Sequence, residues 1–222
     1  MLRMVRVDHT TYLNPNIKII RLKGNFSALH FAPGFTVSFR VNPTELRHYT
    51  VSYADPSKRF IECIVHIHGN APGANYIDSL QPGDEKIKLA VLGSDRQYDA
   101  KVKKQIIFGD ETSLSLMSSF LPVLRQNNHD YQFFIELDDE NRSIPEEIGL
   151  NNCTIFSKND IFRDQDKIQQ LSLFNNEDWS DANIVLTGNV RSLQNFRKVL
   201  KENSHKGKIY AKGYWLEGKK GL

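Results

Sequence analysis

Gln105-Ile106-Ile107-Phe108-Gly109-Asp110-Glu111-Thr112-Ser113-Leu114 is where the chain changes character. A short apolar run ends at Gly109-Asp110, and beyond the turn Leu114, Met117, Leu121 and Leu124 fall on one helical face. That is a strand, a loop and a helix in succession. Pro122 predicts a kink or an end to the helix, because proline has no amide hydrogen to donate. Downstream, residues 131–137 and 153–156 read as strands and residues 161–174 as weakly helical. Residues 182–187 read as a buried strand ending at Gly188. Residues 190–200 form an amphipathic helix with Leu193, Phe196, Val199 and Leu200 apolar, and residues 208–215 close the chain as a strand. Strands alternating with helices predict a parallel sheet.

Upstream the pattern differs. Residues 17–22, 35–41, 48–53, 60–68 and 87–92 are short, β-rich and bounded by turn residues, with Pro33-Gly34 and Pro82-Gly83 as turns. This spacing predicts a six-stranded antiparallel Greek-key β-barrel over residues 1–100 and a small parallel-sheet α/β domain over residues 101–222. The join is expected near residues 101–104.

The bulk numbers agree with two small domains: 222 residues, 40% hydrophobic and 25% charged. No apolar run approaches the ~18 residues of a transmembrane helix, so no membrane insertion is expected. The N-terminus lacks the apolar core of a secretory signal. Cys63 and Cys153, far apart in apolar segments, read as reduced thiols, which points to the cytoplasm. The net charge of +3 is spread out, so no nucleic-acid partner is expected. From Arg191 onward there are ten basic residues, His205 included, against the acids Glu202 and Glu217. That bias is either a solvated surface or a receiver for an anionic ligand.

Two stretches carry chemistry. Arg47-His48-Tyr49-Thr50 offers a cation for a pyrophosphate, a flat ring to cover a flavin and a hydroxyl for its polar edge. Strand alternation puts Arg47 and Tyr49 on one face and Thr50 on the other. The same tetrapeptide also suits a charged edge strand with a packed tyrosine. His66-Ile67-His68-Gly69-Asn70-Ala71-Pro72-Gly73-Ala74 leaves backbone amides uncovered, and a helix starting near Ala74 would add positive charge for a phosphate. His66 and His68 lack a third ligand at recognisable spacing, so no metal site is expected.

Taken in order, Arg47-x-Tyr49-Thr50, His68-Gly69 with Pro72-Gly73-Ala74, and Gln81-Pro82-Gly83-Asp84 resemble the flavin half of the siderophore-interacting proteins, bacterial relatives of the ferredoxin reductases. Gly109-Asp110-Glu111-Thr112-Ser113-Leu114, Thr187-Gly188 before a helix containing Arg197, and Gly213-Tyr214-Trp215 continue the resemblance to residue 215. It implies an FAD-dependent, NADH- or NADPH-driven reductase of ferric siderophores or other ferric chelates, with a ferredoxin as an alternative electron donor. It implies that Arg47, Tyr49, Thr50, His66, His68, Gly69, Pro72, Gly73 and Ala74 hold FAD. Gly109, Asp110, Glu111, Thr112, Gly188 and Trp215 would lie by the nicotinamide nucleotide. No catalytic side chain is named, because the flavin is the reactive centre. Lys208, Lys212, Lys219 and Lys220 are the candidates for an anionic chelate.

The chain departs from that pattern in places. Ala74 replaces a small hydroxyl residue, Tyr76 stands where tryptophan is common, and Leu216-Glu217 follow Trp215 where arginines are frequent. The acidic run Glu136-Leu137-Asp138-Asp139-Glu140 reads either as a cluster repelling a 2′-phosphate, which favours NADH, or as a solvated loop. Other readings are a flavin reductase serving a ferredoxin or quinone, and a non-catalytic flavin- or ligand-binding protein of the same fold.

Overall fold

The computed structural model describes residues 2–69, 71–93, 96–175 and 177–219. The chain divides into two compact units, Met1–Asp95 with Leu114–Phe120, and Arg96–Ser113 with Leu121–Leu222. The division therefore falls at Asp95–Arg96, and a piece of the later chain counts with the first unit.

The first unit holds β1 (Leu2–Asn14), β2 (Ile17–Gly24), β3 (Thr36–Arg40), β4 (Leu46–Thr50), β5 (Tyr53–Asp55), β6 (Phe60–His66), α1 (Pro72–Ser79) and β7 (Ile87–Leu92). The strands form one antiparallel sheet of seven, ordered β4-β3-β7-β1-β2-β6-β5. Six were expected. The local pattern predicts no strand before residue 17, although β1 is the longest, and predicts one run over residues 48–53 where the chain forms β4 and β5. Val51 and Ser52 break that run. The Val51 amide donates to the Phe35 carbonyl and the Ser52 amide to the Glu62 carbonyl, each at 2.8 Å. Two consecutive residues thus carry the chain from one edge strand of the sheet, β4, to the other, β5, which brings those edges together as a barrel requires. Alternating positions on β2, β3 and β6 point Ile20, Leu22, Val37, Phe39, Ile61, Cys63 and Val65 into one buried core.

The second unit runs β8 (Lys104–Asp110), α2 (Leu114–Gln126, whose first turns belong to the first unit), β9 (Asp130–Leu137), α3 (Ile144–Glu147), β10 (Cys153–Ser157), α4 (Gln165–Gln169), β11 (Asn183–Leu186), α5 (Val190–Glu202) and β12 (Ile209–Ala211). All five strands are parallel, in the order β10-β9-β8-β11-β12. The order reverses between β8 and β11, and α/β sheets present ligand crevices at the carboxyl ends of the strands at such a point. Phe108, Phe162 and Phe196 stack at the centre of the core, with centroids 4.3–5.4 Å apart.

Three expectations need correction here. Helix α2 passes through Pro122 to Gln126, held by buried Leu121 and Leu124, so the missing proline donor does not end it. The stretch 161–174 forms α4 and single turns of tighter helix rather than one helix. The closing strand is only Ile209–Ala211; Trp215 lies beyond it in an isolated parallel bridge to Asn189. Both cysteines are free thiols.

Candidate functional site: an amide cradle and a buried carboxylate hub

In the barrel unit, β4 brings Arg47 and Tyr49 out on one face, while Thr50 on the other is buried. Both side chains meet the first turn of α1. A Cβ added at Gly73 would lie 2.7 Å from the Tyr49 hydroxyl and 3.0 Å from Arg47 Cγ. The helix begins with Ala71 as an N-cap that makes no side-chain hydrogen bond, Pro72 sits in its first turn, and that turn holds no acid. Proline has no N–H there, and the amides of Gly73 and Ala74 have no partner within the helix. The result is a bare amide end beside a guanidinium and a phenol.

Tyr49 packs edge-on against Phe39, with ring centroids 5.8 Å apart. Burial pushes its phenol far up, against the opposing pull of Arg47, so it is a hydrogen-bond donor at any ordinary pH. Arg47 is tethered by Glu45 at 3.3 Å. His66 ends β6, and the His66 and His68 rings stand 5.2 Å apart. Gly69 follows with φ +55°, a conformation side chains resist.

At its other end α1 is anchored from beneath. The wholly buried Lys18 ammonium donates to the carbonyls of Ile77, Asp78 and Leu80 at 2.9–3.0 Å. The Ile77 carbonyl also accepts the Leu80 amide at 3.3 Å, and a cation at the carbonyl end of a helix complements the helix dipole. Nothing in the sequence singled out Lys18.

In the second unit the hub is Asp110, at the carboxyl end of β8. Its Oδ1 accepts from the Thr112 amide at 2.9 Å and the Thr112 hydroxyl at 2.5 Å. Its Oδ2 accepts from the Asn189 amide at 2.9 Å and Trp215 Nε1 at 2.7 Å. Gly188, at φ +87°, would drive a Cβ to 2.6 Å from Oδ2, so only glycine fits. One carboxylate therefore ties together the ends of β8 and β11 and the closing segment.

Glu111 is buried as well. It accepts from the Asp138 amide at 2.8 Å and Asn141 Nδ2 at 3.1 Å, and it pairs with Lys158 Nζ at 2.8 Å. Lys158 also reaches Asp138 at 2.9 Å and lies over the Trp215 ring, 5.6 Å from its centroid. Burial alone lowers the lysine's pKa, but the surrounding carboxylates outweigh it and the net shift is upward. Glu136, at the end of β9, is pushed up to about 7, chiefly by burial and further by Asp110, against Ser192, Arg163 and Lys158.

These contacts correct the sequence reading. Gly109, Asp110, Glu111 and Gly188 are buried, and the two carboxylates are spent on internal bonds. Their side chains hold the loop in shape; Thr112 and Trp215 alone of that set are partly exposed. The acidic run is not a bare cluster either, since Glu136 is buried and Asp138 is neutralised by Lys158. The lysines do not form one patch along β12. Lys208 precedes the strand, bonded to the Arg96 carbonyl at 3.2 Å, whereas Lys212 follows it at the end nearer Gly188. Lys219 lies in the turn after Trp215, its amide bonded to the Leu216 carbonyl, and Lys220 falls outside the described residues. Lys158, Arg163 and Asn189 were missed. Each sits one to six residues past a strand end, a position visible only once the sheet order is known.

The seven-stranded antiparallel barrel and the five-stranded parallel sheet occur together in solved structures. The siderophore-interacting protein from Acinetobacter baumannii matches with a TM-score of 0.71 and 23% identity, over 98% of this chain and 92% of that one. The fold is that of the siderophore-interacting proteins. Phthalate dioxygenase reductase shares it too, with a TM-score of 0.76 and 14% identity over 98% of this chain and 70% of that one. Full-length CYP116B46 from Tepidiphilus thermophilus contains it as a part: TM-score 0.73, 12% identity, 96% of this chain but only 29% of that one. No family model matches the sequence, and no curated protein sequence matches it significantly.

Proposed function

We propose that the protein is a flavin-dependent oxidoreductase that holds FAD on its barrel unit and draws electrons from NADH or NADPH on its α/β unit. The observation that carries this reading is the convergence of Arg47 and Tyr49 on Gly73 at the uncapped end of α1. A cation, a phenol and open peptide amides suit a dinucleotide pyrophosphate with a flat ring beside it. The bare Gly73 lets the Tyr49 hydroxyl and the Arg47 stem close on the uncapped helix end, a donor set that fits a pyrophosphate.

In this reading Arg47 and the Gly73 and Ala74 amides hold the pyrophosphate, Tyr49 covers part of the ring system, and His66 to Gly69 line its edge, while Thr50, buried on the opposite face of β4, offers only its backbone. The bound flavin supplies the conversion between two-electron donors and one-electron acceptors. Asp110 holds the strand ends of the α/β unit in place so that Thr112 and Trp215 can frame a nicotinamide nucleotide.

The finer reading is that the acceptor is Fe³⁺ in a siderophore or similar chelate. Its support is the shared fold with siderophore-interacting proteins over nearly the whole of both chains. The driving logic is ligand preference: hard oxygen donors suit Fe³⁺, and the chelate loosens at Fe²⁺. The match to phthalate dioxygenase reductase favours a second reading, in which the acceptor is a redox protein.

An absorbance spectrum of the purified protein, then anaerobic addition of NADH, NADPH, a ferric chelate and a ferredoxin in turn, tests these statements. The expected result is a yellow protein bleached by one nucleotide and reoxidised by the ferric chelate. A protein that stays colourless with added FAD overturns the flavin assignment. Reoxidation by ferredoxin but not by any ferric chelate overturns the siderophore assignment alone.

A further inference from the structure

Lysine side chains are almost never fully buried unless a carboxylate pairs with them. Lys18 is wholly buried, and its partners are peptide carbonyls. It sits at the start of β2, opposite Tyr12 of β1 and Val65 of β6. Its Nζ donates to the carbonyls of Ile77, Asp78 and Leu80 at 2.9–3.0 Å. Three donations need three N–H groups, which only the ammonium form has, so Lys18 is a buried cation. The Asp78 carboxylate is engaged by the Tyr12 hydroxyl, and the Tyr12 ring covers the ammonium, 5.0 Å from its centroid. Burial lowers the Lys18 pKa, against the opposing pull of Asp78 and Asp84.

A buried charge is a poor means of stabilising a fold, because desolvation offsets most of what its partners return. The place of this one is more telling. The carbonyl end of a helix carries partial negative charge and the amide end partial positive charge. The eight residues of α1, at ~1.5 Å each, put its two ends about 12 Å apart. A cation on the carbonyl end neutralises the negative pole and leaves the positive pole at Gly73 and Ala74 unopposed. The β1–β2 turn also holds the chain ahead of the helix, since the Asn16 carbonyl accepts the Ile67 amide at 2.7 Å. One hairpin therefore supports the approach to α1 through Asn16 and its far end through Lys18.

We propose that Lys18 is a positioning residue for the flavin pyrophosphate: it holds α1 by its carbonyl end and adds its charge to the field at the amide end. The inference rests on the flavin reading and deepens it. Lys18 does not touch the cofactor in this arrangement, because all three of its N–H groups are taken by carbonyls. It acts on the phosphate charges through the helix, whereas the ring system meets Tyr49 and the segment after β6. At an effective dielectric constant of about 20, one unit charge acting over about 12 Å changes an equilibrium by about tenfold. A flavin without phosphate escapes that effect.

Fluorescence titration of the full chain with FAD and with riboflavin, which carries no phosphate, tests it. Each variant is titrated well below its own unfolding midpoint, so that global stability does not enter. Lys18→Met should weaken FAD by about tenfold or more and leave riboflavin within about twofold of wild type. If that variant does not fold, Lys18→Gln carries the same test, because it is neutral yet keeps two donors for the carbonyls. Unchanged FAD affinity, or an equal loss for both flavins, overturns the proposal and leaves the flavin reading standing. A wild-type protein that binds neither flavin overturns both.

Discussion

The Tyr49 hydroxyl lies 2.7 Å from the point that a Cβ on residue 73 would occupy. Gly73 sits in an ordinary helical turn, so what it supplies is room, not backbone freedom. The Gly73→Ala variant gains helix propensity, about 1 kcal/mol. It loses the seat of Tyr49, whose far end must swing away. Thermal unfolding should therefore change little or improve slightly, while FAD affinity, measured by fluorescence titration, falls at least about tenfold. Loss of both together would mean that the contact is structural only.

Arg47 tests the cradle from the other side. It is already paired with Glu45, so its charge is partly neutralised before any ligand arrives. Arg47→Ala should weaken FAD by about 1–3 kcal/mol, the value of a charge-assisted phosphate contact. Unchanged flavin affinity in a folded variant would contradict the assignment.

Lys18 holds the opposite end of the same helix. Lys18→Met keeps most of the stem but takes the ammonium from the carbonyls of Asp78 and Leu80 and leaves that of Ile77 with the Leu80 amide alone. The expected cost is about 1–3 kcal/mol in denaturant unfolding. A neutral result would show that water or a backbone shift replaces the ammonium.

Asp110 accepts four hydrogen bonds, all from donors. Asp110→Asn turns one acceptor into a donor facing donors, which should cost about 2–4 kcal/mol. The same change frees Trp215 Nε1, so the tryptophan emission should shift with the stability. A variant as stable as wild type would remove Asp110 from its role as the hub.

Glu136 sets a pH dependence. Its pKa rises from an ordinary 4.5 to about 7 in the folded chain. Between those values the folded state keeps a proton that the unfolded chain has released. Raising the pH through that window therefore removes stability, by at most about 3 kcal/mol from this group. Stability measured against pH should fall from pH 4.5 to 7 in the wild type and flatten in Glu136→Gln. Parallel curves for the two proteins would show that another group is responsible.

Much of the fold was legible because it rests on local pattern. Short β-rich runs between turn residues mark β2, β3, β6 and β7, and the run Ile106-Ile107-Phe108 ahead of a helical face marks the start of the parallel sheet. What escaped was long-range or exceptional. Strand β1 mixes exposed and buried positions along 13 residues and acquires its meaning only from pairing with β2 and β7. Local propensity at Pro122 predicts a kink or an end, and with Leu121 and Leu124 buried beside it the helix continues to Gln126.

The candidate site divides in the same way. Arg47, Tyr49 and Gly73 were legible as chemical types before any coordinates, since phosphate and flavin recognition demand a cation, a ring and bare amides. That Asp110 and Glu111 face inward was not legible, because a carboxylate in a loop reads the same whether it meets a ligand or its own backbone.

The amino-acid order alone determined the period of each element, the two-part architecture and the residue types available to a dinucleotide. Only the tertiary structure decided which of them meet: Lys18 under α1, Trp215 on Asp110, Glu217 across Arg163. The reason is physical. Periodicity is written in neighbours a few residues apart, whereas these contacts join residues 54 to 105 positions distant, and chain closure over such lengths is set by the packing of the whole sheet.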